Sequence, residues 1–117
     1  MPLDPDLEGF LELAQMGRLS GKSSALHELD LALARTQFET TSQVLDPCPP
    51  GAITVSTLTL PTRDGQSIAA RLYRANASDT ALLPTLLFFH GGGYVVGSLD
   101  SHDSICRRLA ASGRHAV

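Results

Sequence analysis

The sequence has 117 residues, 43% of them hydrophobic and 18% charged, with a formal net charge of −3. That length fits one domain but is short for an α/β enzyme, and the weakly acidic balance gives no hint of nucleic-acid binding. The acidic opening Met1-Pro2-Leu3-Asp4-Pro5-Asp6 does not read as a secretory signal, which needs a basic start and an apolar core, and the longest apolar stretch, Leu82 to Val96, is too interrupted by Pro84, His90 and three glycines to span a membrane.

In chain order, the spacing of Leu7, Phe10, Leu11 and Ala14 predicts a helix over residues 5–16, broken by Gly17 and Ser20-Gly21. A second helix is expected from Ser24 towards Thr40, with Leu26, Leu29 and Leu33 as its stripe. The proline-rich run Asp46-Pro47-Cys48-Pro49-Pro50-Gly51 is a stiff boundary, because proline donates no N–H and restricts the residue before it. It divides the chain into an N-terminal helical segment, 1–46, and a second part, 51–117. Cys48 and Cys106 define no disulfide framework and fit a reduced, cytoplasmic protein.

Beyond the boundary the period changes to that of strands. Ile53 and Val55 alternate with polar residues, while Leu58 and Leu60 fall in the opposite phase, which implies a bulge or a two-sided strand. Arg63-Asp64-Gly65-Gln66 is a turn, and the alternation of Ile68, Ala70 and Leu72 with Ala69, Arg71 and Tyr73 completes an antiparallel hairpin. Ala75 to Leu83 reads as loop. Thr85 to Phe89 then reads as a strand buried on both faces, and Asp100 to about Ser112 as a helix. Ser98 or Asp100 would cap that helix, Gly113 would close it, and Ile105 and Leu109 would face the sheet.

Between this last strand and helix lies His90-Gly91-Gly92-Gly93-Tyr94-Val95-Val96-Gly97. Three consecutive glycines remove every Cβ, so the backbone can turn sharply and present free N–H groups to an anionic oxygen. The segment, with the helix start Asp100-Ser101-His102-Asp103, resembles the oxyanion segment of the hormone-sensitive-lipase-like esterases, a branch of the α/β-hydrolases.

The resemblance implies an α/β fold: the N-terminal portion of an α/β-hydrolase, with cap helices, antiparallel hairpin, central strand, glycine loop and first sheet-packing helix. It implies that residues 1–46 belong to a cap; on pattern alone, helices that merely cover a sheet face fit as well. Gly91 and Gly92 are the expected oxyanion donors, with Gly93 close behind. The resemblance gives His90 a loop-structuring role, the family's catalytic His lying near its C-terminus. Tyr94 would line the acyl or alcohol pocket or pack in the core. The implied reaction is hydrolysis of small acyl esters, without metal or cofactor.

Other constellations carry less. Ser98, Asp100, Ser101, His102 and Asp103 contain every residue type of a Ser-His-Asp triad, but neighbours at a helix start point in different directions. A metal site from Asp100, His102 and Asp103 fails for the same reason. Gly17-Arg18-Leu19-Ser20-Gly21-Lys22-Ser23 is one residue short of a phosphate loop, and the Gly93-to-Gly97 gap does not match a dinucleotide fingerprint.

The sequence contains no Gly-x-Ser-x-Gly, the turn that carries the family's nucleophile. The expectation is therefore an oxyanion loop without a catalytic triad, in a chain inactive alone and truncated at the fourth strand, which would open with Arg114-His115-Ala116-Val117. In the family's topology that strand lies between the second and third, so the hairpin and the strand 85–89 are expected to lack a bridge. The alternative is a non-catalytic remnant or binding module that pairs through its open sheet edge.

Overall fold

The computed structural model describes residues 2–46, 49–75 and 82–117, so Cys48 and most of the expected loop 75–83 lie outside the described residues. The chain divides into two compact units, Met1–Ala34 and Arg35–Val117.

In the first unit, α1 spans Pro5–Leu19. Asp4 caps it, its carboxylate accepting the Asp6 N–H at 2.9 Å, and Pro5 fills the first turn, where its missing N–H is no loss. The helix runs through Gly17 instead of ending there, since one interior glycine costs only about 1 kcal/mol. Its apolar face is not buried: Leu7, Phe10 and Leu11 are exposed. The second helix starts later than expected. Leu26–Glu28 form a short 3-10 turn, and α2 spans Leu31–Leu45. Asp30 explains the delay, because its carboxylate takes the N–H groups of Ala32 (3.0 Å) and Leu33 (3.1 Å) and so starts a new helix.

In the second unit, β1 (Thr54–Pro61) and β2 (Ser67–Arg74) form the expected antiparallel hairpin. Its register runs one-to-one from Thr54↔Arg74 to Pro61↔Ser67, so the phase change in β1 reflects a two-sided strand and not a bulge. The turn closes through Thr62 N–H to Gln66 O (2.9 Å) and Gly65 N–H to Thr62 O (3.0 Å), with Gly65 at φ 81°.

The chain end extends this sheet. Val117 and Tyr73 exchange both backbone hydrogen bonds (2.9 and 3.1 Å), the pattern of an antiparallel pair. On its other side Ala116 lies parallel to Thr85, with Leu86 N–H to Ala116 O at 2.8 Å and Ala116 N–H to Pro84 O at 2.9 Å. Ala116-Val117 thus stands between the hairpin and the third extended segment, and the expectation that the two lack a bridge is corrected.

That third segment departs most from expectation. Within this segment Thr85 is the one residue with a bridge partner among the described residues, and Leu86, Leu87, Phe88 and Phe89 are exposed, Phe89 at 86%. A strand exists through its neighbours. The bonds from Ala116 reach no further than Leu86, so an apolar run that reads as a buried central strand lies extended and uncovered.

The last helix, α3, spans Asp103–Ala110. Neither Ser98 nor Asp100 caps it: His102 occupies the cap position with no side-chain bond to the helix's first turn, while the Ser98 hydroxyl accepts the N–H groups of Asp100 (3.2 Å) and Ser101 (3.1 Å) in the preceding turn. Gly113 closes the helix at φ 69°, its N–H on Ala110 O. The buried residues are Cys106 and Ala110, one turn apart, with Leu109 partly buried and Ile105 exposed. These small side chains meet Ile53, Tyr73 and Val117 in the core.

A core this small leaves much of the docking to polar groups. Asp103 accepts from Tyr73 Oη (2.9 Å), Arg107 Nε (2.6 Å) and Arg71 Nη1 (3.4 Å), and Arg71 also binds Asp100 and the Leu99 carbonyl. Burial and the bond to Asp103 push the Tyr73 phenol up to about 12. Asp46, after α2, reaches α3 through Arg108 and Ser104, which hold its carboxyl at about 2. Asp103→Ala should therefore lower stability by about 2 kcal/mol, read as a lower urea midpoint at unchanged slope, since it leaves the Tyr73 hydroxyl and two guanidinium groups short of a partner.

Candidate functional site

The glycine loop folds into a left-handed turn. Gly92 O accepts Val95 N–H and Val96 N–H, both at 3.0 Å, and the two central residues, Gly93 and Tyr94, both have φ 60°. Positive φ at both centres marks the type I′ class. Gly92 itself sits at φ 139°, and a Cβ there would lie 1.9 Å from Val96 O. Gly97 (φ 100°) is equally constrained, with a Cβ meeting His90 Nδ1 at 2.6 Å and Gly91 O at 2.8 Å. Gly91 is different: a Cβ would meet nothing within 4 Å. Among the described residues, no hydrogen bond uses the N–H of Gly91, Gly92 or Gly93.

His90 folds back over the loop, with Nδ1 2.8 Å from Gly91 O. A carbonyl only accepts, so Nδ1 carries the proton. The imidazole stacks on His102 (centroids 5.1 Å apart, 28° between planes), and His102 also packs against Phe38 and Phe88, each at 6.1 Å. Ser101 Oγ lies 2.9 Å from His102 Nδ1, so these two side chains do meet, contrary to the directional reading of the sequence. They make no triad. The Ser101 hydroxyl is held by both the N–H (2.8 Å) and the carbonyl (3.1 Å) of Ser98, and Asp100 and Asp103 turn to Arg71. Among the described residues no group of three His, Cys, Asp or Glu side chains is placed to hold a metal.

Tyr94 is fully exposed and joins no core cluster among the described residues. A bulky residue at positive φ is a strained choice, worth roughly 1–2 kcal/mol. Nearby, a cleft of about 580 Å³ is bounded by Ile68, Leu87, Phe88 and Phe89, with His90 and His102 in its wall.

Burial, and then the charge of His90, lower the His102 pKa from its ordinary 6.5. The unfolded chain thus takes up this proton at a higher pH than the folded one. The stack's contribution is full above pH 6.5 and fades as pH falls through the lower folded value. The Cε1–H resonance of His102, followed by NMR, should titrate with a midpoint below 6.5 and with the Gly91–Gly93 amides moving in step. A midpoint at or above 6.5 would contradict the stack.

Several residues of this site were not singled out by sequence: Arg71 and Tyr73 on β2, and Arg35, Phe38 and Glu39 on α2. The spacing of the last three at i, i+3 and i+4 on one helical face was the available signal.

A family model for the alpha/beta hydrolase fold matches residues 86–117. An ethyl acetate hydrolase of Pseudomonas putida is 47% identical over 111 residues, covering 94% of this chain and 35% of that protein. The carboxylic ester hydrolase LipN of Mycobacterium tuberculosis is 32% identical over 105 residues, covering 90% of this chain and 26% of that protein. Among solved structures, an ester hydrolase from the metagenome of Lake Arreo superposes with a TM-score of 0.85 at 33% identity, over 99% of this chain and 36% of its own. The chain thus spans between about a quarter and about a third of the length of these relatives. No described helix is long and apolar enough to cross a membrane.

Proposed function

We propose that this chain, which belongs to the hormone-sensitive-lipase-like esterases of the α/β-hydrolase fold and corresponds to the N-terminal part of such an enzyme, supplies the oxyanion-hole loop of a serine carboxylic-ester hydrolase. The observation that carries this reading is the glycine turn, whose three N–H groups bond to no other described residue. When a serine attacks an ester, the carbonyl oxygen gains a full negative charge. Fixed donors stabilise that charge more than they stabilise the neutral ester, and so lower the barrier.

In this reading Gly91, Gly92 and Gly93 provide the donors, and His90 holds the loop through Gly91 O. Tyr94, already at the solvent side, lines the mouth of the acyl or alcohol pocket. The nucleophile and the rest of the triad come from sequence outside these 117 residues. Residues 1–46 serve as the cap and 51–117 as the start of the catalytic core. The substrate is a small acyl ester; the reaction needs no metal or cofactor and involves no nucleic acid. The setting is cytoplasmic, which the buried free thiol of Cys106 supports.

The exposed run Leu86–Phe89 favours a second reading, a non-catalytic module that pairs through this edge. Assay separates the two. A longer protein that carries these residues and a Gly-x-Ser-x-Gly turn should hydrolyse p-nitrophenyl acetate and lose that activity to a serine-directed organophosphonate. Failure of a folded preparation to turn over any short-chain ester would leave only the pairing module.

A further inference from the structure

We propose that the second half of α2 positions the glycine loop, through Arg35, Phe38 and Glu39 on one helical face. Arg35 Nε donates to Val95 O at 2.8 Å. That carbonyl shares a peptide plane with the Val96 N–H, which donates to Gly92 O at 3.0 Å. The Gly92 carbonyl in turn shares a plane with the Gly93 N–H, so fixing one end of this relay fixes the direction of a donor that bonds to no other described residue. Phe38 acts on the entry to the loop: it stacks on His102, which stacks on His90, whose Nδ1 holds Gly91 O. Glu39 acts on the exit. It accepts from Ser98 Oγ at 2.6 Å, one residue beyond Gly97.

These contacts bracket the loop before, within and after its left-handed turn. Two of them are charge-assisted and directional, suited to orienting a peptide plane. Arg35, Phe38 and Glu39 are positioning residues: none is proposed to touch substrate. Their effect on catalysis rests on the oxyanion reading above, while their effect on loop geometry does not.

The test separates the two. In the isotopically labelled 117-residue chain, Arg35→Ala should shift the amide resonances of Gly93 and Val96 and speed Val96 exchange by roughly tenfold or more, with hairpin amides 54–74 unmoved. Arg35→Lys, which keeps a cationic donor, should restore most of the shift. Should Arg35→Ala fail to fold, Glu39→Ala carries the same expectation for the Ser98 and Gly97 amides. In a full-length enzyme carrying the segment, Arg35→Ala should lower kcat by roughly ten- to a hundredfold with KM little changed. Loop amides at wild-type positions in either folded variant would overturn the proposal. Loop amides that move while kcat stays constant would instead overturn the oxyanion reading.

Discussion

Replacing Gly92 by alanine, in a full-length ester hydrolase that carries this loop, is expected to lower kcat by about a hundredfold or more while leaving KM within a few-fold. One oxyanion donor is worth roughly 3 kcal/mol in the transition state. The substitution endangers more than one, because the new Cβ would sit 1.9 Å from Val96 O and 2.7 Å from its carbon, with φ at 139°. Neither side can yield by a simple rotamer change: the obstacle is backbone, and the bond from Val96 N–H to Gly92 O closes the same turn. Gly91→Ala is the matched control. Its Cβ meets nothing within 4 Å, so the turn should survive and kcat should change far less. Gly92→Pro, which deletes the donor and fixes φ near −65°, should be at least as damaging as Gly92→Ala. An unchanged kcat in a correctly folded Gly92 variant would show that the glycines only shape the chain.

The second large effect concerns the 117 residues by themselves. They should hydrolyse no p-nitrophenyl short-chain ester above background and take up no serine-directed fluorophosphonate. Oxyanion donors stabilise a charge that forms only when a nucleophile attacks, and no Gly-x-Ser-x-Gly turn is present to present one. The nearest approach to a nucleophile–base pair, Ser101 with His102, lacks an orienting carboxylate, and the serine hydroxyl is already bonded to the Ser98 backbone. Stoichiometric labelling of one serine, abolished by replacing His102, would overturn this.

What could be read from the sequence was what depends on near neighbours. The hairpin was legible because alternation and Asp64-Gly65 fix it locally, and the glycine loop because only glycine suits positions such as Gly92 and Gly97. The late start of α2 turned on Asp30, a residue that fits a helix interior by pattern but starts a helix by chemistry. The run Leu86–Phe89 misled because hydrophobicity records the environment a segment is suited to, not the neighbours present around it. By pattern Asp100 suits a cap and Asp103 a first turn. These aspartates instead reach across to Arg71 and Tyr73, and no local period announces a partner about thirty residues away.

A crystal structure of a phosphonate adduct of a full-length enzyme carrying this segment would locate the oxyanion donors directly. A tetrahedral phosphonyl group bonded to the nucleophilic serine imitates the charged intermediate. Its charged oxygen should lie within roughly 2.7–3.1 Å of the backbone nitrogens of at least two of Gly91, Gly92 and Gly93, with His90 still on Gly91 O. A phosphonyl oxygen held by other donors, with the glycine N–H groups turned away from it, would mean that this loop is not the oxyanion hole.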